Sequence, residues 1–185
     1  MDGAQPRSIY ALVTILVALT PVSFANFAFA DSGHREYNWL VGADFLCTLG
    51  IPNACPDIAM AANGDTVSVA GTGTLTIHPN SVTGSGTFTH KDASGNVKAV
   101  GTWTATKLLS FVSYGSAGPA FPPGVEGGKA VMLVHLSAGF DAILTVICDL
   151  GSAPTGQHEG IHLNVQDVIN FNKQVSGLTV FVRTA

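Results

Sequence analysis

From Thr66 the chain alternates with a period of two. Val67, Val69, Gly71, Gly73, Leu75 and Ile77 fall on one face, and Thr66, Ser68, Ala70, Thr72, Thr74, Thr76 and His78 on the other. Such alternation predicts a half-buried strand, and the two glycines inside it predict a bend or bulge. The pattern G-T-apolar-T then recurs, at Gly73-Thr74-Leu75-Thr76, Gly86-Thr87-Phe88-Thr89 and Gly101-Thr102-Trp103-Thr104. Pro79-Asn80 and the turn-rich segment 91–96 separate the copies. Consecutive strands at hairpin spacing predict an antiparallel meander with Leu75, Phe88 and Trp103 turned inward.

Residues 108–114 continue the sheet, and 115–128 read as a long loop holding Pro119, Phe121, Pro122, Pro123 and Glu126. Loops of that length inside a domain commonly serve function. Residues 129–137 and 141–150 are apolar on nearly both faces and predict central strands. Residues 160–165 and 177–183 predict the last two strands. Between them, 166–175 fits a helix by the spacing of Val168, Phe171 and Val175, although Asn170 and Asn172 are poor helix formers. Upstream, 57–62 predicts a short helix ended by the Asn63-Gly64-Asp65 turn.

These elements predict an all-β fold with little helix: a single antiparallel β-barrel of about 7–8 strands, with a β-sandwich as the alternative. In architecture, with no motif matched, the glycine- and threonine-rich meander resembles lipocalin-like and dirigent-like secreted barrels. A transmembrane barrel fits less well, because one face of the early strands is threonine and serine and no paired aromatic girdles are evident.

The N-terminus has a different pattern. Residues 8–30 carry no charge, with an apolar centre at 9–19, Arg7 before it, Pro21 after it and Ala28-Phe29-Ala30 as a cleavage site. The reading is a signal peptide over 1–30, an N-terminal segment 31–64 packed on the body, and a β-domain over 65–185. The mature chain has no membrane span and is extracellular or periplasmic after cleavage near Ala30, with Ala25 as a second possible site. Export gives the cysteines meaning, since oxidising compartments permit disulfides. Cys47 pairs with Cys55 or with Cys148, which leaves one thiol over.

Composition narrows the partners. Charged residues make up 11% of the 185-residue chain and hydrophobic ones 46%. Disorder of the whole chain is excluded, because that much apolar material can build a core. A net charge of −4 with eight dispersed Lys and Arg argues against nucleic acid. The oligomeric state is left open.

One motif invites a chemical reading, His158-Glu159-Gly160-Ile161-His162, an H-E-x-x-H. On a helix two such histidines bind zinc while the glutamate activates water. Here Gly160 and the alternation of Ile161, Leu163 and Val165 predict a strand, and no His or Glu follows His162 to complete the site. No cofactor is therefore expected. Zinc on His158 and His162, aided by His135 or His90, is the minor alternative. Glu126, Asp141, Asp149 and Glu159 form no evident catalytic pair. The leading expectation is a secreted, non-enzymatic β-domain that binds a small apolar ligand or a surface partner, with Leu75, Phe88, Trp103, Tyr114, Phe121 and His135 as lining candidates. The alternative is an exported barrel enzyme of cyclase or isomerase type.

Overall fold

A computed structural model describes residues 33–185. The signal peptide expected over 1–30 lies outside the described residues. Among the described residues no helix is long and apolar enough to cross a membrane.

The chain forms β1 (Arg35–Val41), a short 3-10 turn (Asp44–Thr48), β2 (Asp57–Ala61), β3 (Thr66–Ile77), β4 (Ser81–Lys91) and β5 (Val97–Ser116). It continues as β6 (Val125–Leu136), β7 (Phe140–Cys148), β8 (Gly160–Val165), β9 (Ile169–Ser176) and β10 (Thr179–Arg183). All ten strands belong to one antiparallel sheet that closes on itself. The closed all-β architecture follows the alternation, with more strands than the pattern suggested.

Three segments differ from expectation. Residues 57–61 form a strand rather than a helix. Alanine and methionine favour a helix in isolation, but this segment is hydrogen-bonded on both edges, to β3 and β9, and buries Asp57, Ala59 and Ala61 on one face. Residues 169–176 are also a strand, because Phe171 turns into the core opposite Leu163 while Asn170 and Asn172 face outward. Glu126 lies in β6 rather than in the loop, where its carboxylate accepts hydrogen bonds from Tyr37 (3.1 Å) and Ser113 (2.6 Å).

Two strands are shared, and this shapes the ring. β3 pairs with β4 along one edge; its other edge pairs first with β2, over Thr66–Val69, and then with β1, over Gly71–Ile77. β6 likewise changes partner, from β10 at Val125 and Glu126 to β7 from Gly128 onward. The sheet therefore forks. One circuit closes through β2, β9, β8 and β7, and the other through β1 and β10. Gly127 sits at the switch, with the Leu150 carbonyl lying where a Cβ would stand.

The interior is filled by large side chains, including Tyr37, Trp39, Leu75, Trp103, Met132, Leu144, Ile161, Phe171 and Phe181. Each such burial contributes roughly 1.5–3 kcal/mol. The Trp39 and Trp103 rings stack with centroids 5.7 Å apart. Three glycines of β3 and β4 give them room: a Cβ at Gly71 would overlap the Trp103 ring, and one at Gly73 or Gly84 the Trp39 ring. Of the G-T-apolar-T repeat, Gly73 alone serves an indole; a Cβ at Gly86 would meet the Ala70 carbonyl and one at Gly101 the Phe88 ring, while threonines cover the outer face.

Candidate functional site

The second circuit leaves a wedge on the outside of the ring. Between β10 and the end of β7, the fork leaves a cleft of about 790 Å³. Its floor is Val180 and Val182, on the outward face of β10, with Val125 of β6. One wall is the segment 45–51, pinned by the Cys47–Cys55 disulfide, whose Cα atoms are 5.4 Å apart. The opposite wall is the loop 117–124, carrying Phe121, Pro122 and Pro123. Phe45, Leu49, Ile51 and Phe121 stay 42%, 50%, 50% and 42% exposed, although each is a large apolar side chain. Exposed apolar side chains gathered around one concavity are the usual signature of a binding surface.

One end of the cleft is acidic. Glu159 precedes β8 and is held by three contacts: the Asp149 amide donates to Oε2 (2.9 Å), the Thr179 amide to Oε1 (2.6 Å), and the Thr179 hydroxyl lies 2.9 Å from Oε1. That hydroxyl also donates to the Ile147 carbonyl at 2.7 Å. Its single proton is thus shared between two oxygen neighbours. Burial lifts the Glu159 carboxyl to about 7, against the opposing pull of the amide and hydroxyl bonds.

Behind Glu159 lies Asp57, fully buried at the start of β2. Gly42 and Gly177 press against its backbone with no room for a Cβ. Burial, and then the nearby charge of Glu159, lift Asp57 to about 8. The amides of Ile161 and Ile58 oppose the shift, but neither carboxylate oxygen reaches a partner at hydrogen-bond geometry. Cys148, the free cysteine, is buried beneath the cleft, and desolvation followed by the Glu159 charge pushes its thiol up to about 12. It is a poor nucleophile. Among the described residues no lysine, arginine or histidine lines the cleft. A carboxyl near neutrality beside an apolar cleft is suited to hold a polar head group or to exchange a proton with one.

No family model, curated protein or solved structure matches this chain.

The lining candidates named from sequence are dispersed. Leu75 and Trp103 are buried in the packed ring interior. Phe88 lines a separate hollow of about 100 Å³ with His90, Phe140 and Phe171. Tyr114 is half-buried and donates to Gln157 (3.2 Å). His135 is exposed on the outer face of β6 and meets Asp141 at 2.8 Å. Phe121 alone of the set lies in the large cleft.

The H-E-x-x-H segment is not helical: His158 and Glu159 precede β8, and His162 lies within it. His158 is exposed, and His162 is half-buried on the outer face opposite Thr145. Desolvation, then Lys129, lowers the His162 pKa. Among the described residues no three His, Cys, Asp or Glu side chains are grouped to hold a metal. The Cys47–Cys148 pairing is excluded by the Cys47–Cys55 bridge.

Leu49, Ile51, Thr179 and Asp57 escaped the sequence reading. For Asp57 a signal existed. It shares strand parity with Ala59 and Ala61, so reading the segment as a strand puts the acid on the buried face.

Proposed function

We propose that this protein is a binding domain for a small apolar molecule, and that the ligand sits in the lateral cleft beside β10 rather than inside the ring. The observation that carries the reading is the grouping of Phe45, Leu49, Ile51 and Phe121, all substantially exposed, around a cleft of about 790 Å³. Clefts of roughly 300–1,000 Å³ with apolar walls and few polar groups are typical of small-molecule sites. The disulfide supports it further, because it fixes one wall in advance and reduces the ordering cost of binding.

Titration of the purified protein with Nile red, a neutral apolar dye, tests the proposal. Saturable binding is expected, weakened roughly tenfold or more by combining Ile51→Ser with Phe121→Ser, since each removes most of a buried apolar contact. No saturable binding, or binding indifferent to both substitutions, contradicts it.

We further propose that the domain works outside the cytoplasm, as its disulfide and the apolar segment at 9–19 together suggest. The intact mass of exported material is expected to correspond to a chain beginning at Asp31, and a retained Met1 counts against export.

A further inference from the structure

We infer that the cleft takes a cationic amphiphile, with its apolar body along Phe45, Leu49, Ile51 and Phe121 and a protonated amine head against Glu159 and Asp149. The inference rests on the proposal that the cleft is a small-molecule site, and it names the chemical class of the ligand.

The charge pattern of the lining carries it. Apart from the buried Cys148 thiol, Asp149 and Glu159 are the only titratable side chains that line the cleft among the described residues. Both are acids, and both stand at the same end, joined through the Asp149 amide (2.9 Å). Glu159 is fixed by two backbone amides and a threonine hydroxyl and has no basic partner among the described residues. Asp57 lies behind it, fully buried and not itself part of the lining, with neither carboxylate oxygen hydrogen-bonded among the described residues. Neither acid of the lining has a basic partner among the described residues, so the counter-charge at that end of the cleft is left for the ligand to bring.

The alternatives for the head group fare worse. A carboxylate or phosphate head would face Glu159 and Asp149 with no counter-charge. A hydroxyl head forms a neutral hydrogen bond, weaker than the charge-assisted bond of an ammonium to a carboxylate. On ammonium binding Glu159 gives up its proton to solvent, and the ion pair replaces the neutral acid.

Competition against bound Nile red by dodecylammonium, dodecanol and dodecanoate, each below its micelle concentration, tests the inference. Dodecylammonium is expected to compete roughly tenfold or more better than dodecanol, with dodecanoate weakest. Within each variant, Glu159→Gln and Asp149→Asn are expected to shrink the amine-over-alcohol ratio. Asp149 is exposed, so its variant carries the test if Glu159→Gln misfolds. Equal competition by amine and alcohol, a preference for dodecanoate, or an undiminished ratio in both variants overturns the inference and leaves the small-molecule reading standing. Failure of Nile red itself to bind overturns both.

Discussion

Two carboxyls, the buried Asp57 and the half-buried Glu159, dominate at the scale of single residues. Their pKa values rise on folding, Asp57 from 3.8 to about 8 and Glu159 from 4.5 to about 7. A folded state that binds the proton more tightly than the unfolded chain is favoured at low pH. Below about pH 4 both groups are protonated in either state and their contribution is fully present. It is lost as pH rises through the window between unfolded and folded values, and is gone above about pH 8. The protein is therefore expected to be less stable at pH 8 than at pH 5.5 by roughly 1 kcal/mol or more, about 2–4 °C in Tm. Asp57→Asn should flatten that slope. Thermal melts of the two proteins across pH 5–9 check it, and a wild-type Tm that rises from pH 5.5 to 8 contradicts the upward shift of both acids.

At the scale of elements, three glycines of β3 and β4 have a stated task, to let the Trp39 and Trp103 indoles lie against the backbone. Gly73→Ala places a Cβ onto Trp39 and onto the facing backbone of Thr83 and Gly84, and Gly71→Ala places one onto Trp103 and the Ser85 carbonyl. Neither neighbour can move aside, because the rings are stacked in a packed interior and the backbone is paired. Each substitution is expected to cost roughly 2–3 kcal/mol in urea unfolding, while Thr72→Ala on the outer face stays within about 0.5 kcal/mol. Equal, small effects at Gly71, Gly73 and Thr72 would mean that the glycines serve something other than indole packing.

These strands were readable from sequence, because alternation and local turns are short-range signals. The strand at 57–61 was not. Its alanines and methionine favour a helix locally, and only pairing with β3 on one edge and β9, far along the chain, on the other makes it extended.

At the scale of the whole molecule the closed antiparallel sheet was legible, but the fork was not. Alternation says that a strand has two faces; it does not say that one edge of β3 or β6 is divided between two partners. The fork makes the lateral cleft, so the site was legible only in pieces. Phe121 stood out on its proline-rich loop, and the Cys47–Cys55 loop stood out by spacing, yet nothing local brings them together on β10. Glu159 was noticed for an H-E-x-x-H pattern that is not helical here; its place depends on Thr179, twenty residues on, reaching back to it. The inward side chains of Leu75 and Trp103 point to a ring cavity only if the interior is open, and Trp39 stacking on Trp103 fills it.

The central claim is that an apolar ligand binds at the lateral cleft and not within the ring. Backbone-amide and methyl chemical-shift mapping by NMR during titration with a neutral apolar ligand tests it most directly. The expected result is a set of shifts confined to the cleft lining, led by Phe45, Leu49, Ile51, Phe121, Val125, Val180 and Val182, with the acidic end at Asp149, Glu159 and Thr179 following. Shifts centred instead on Leu75, Phe88 and Trp103, or no saturable shifts at all, would contradict the account.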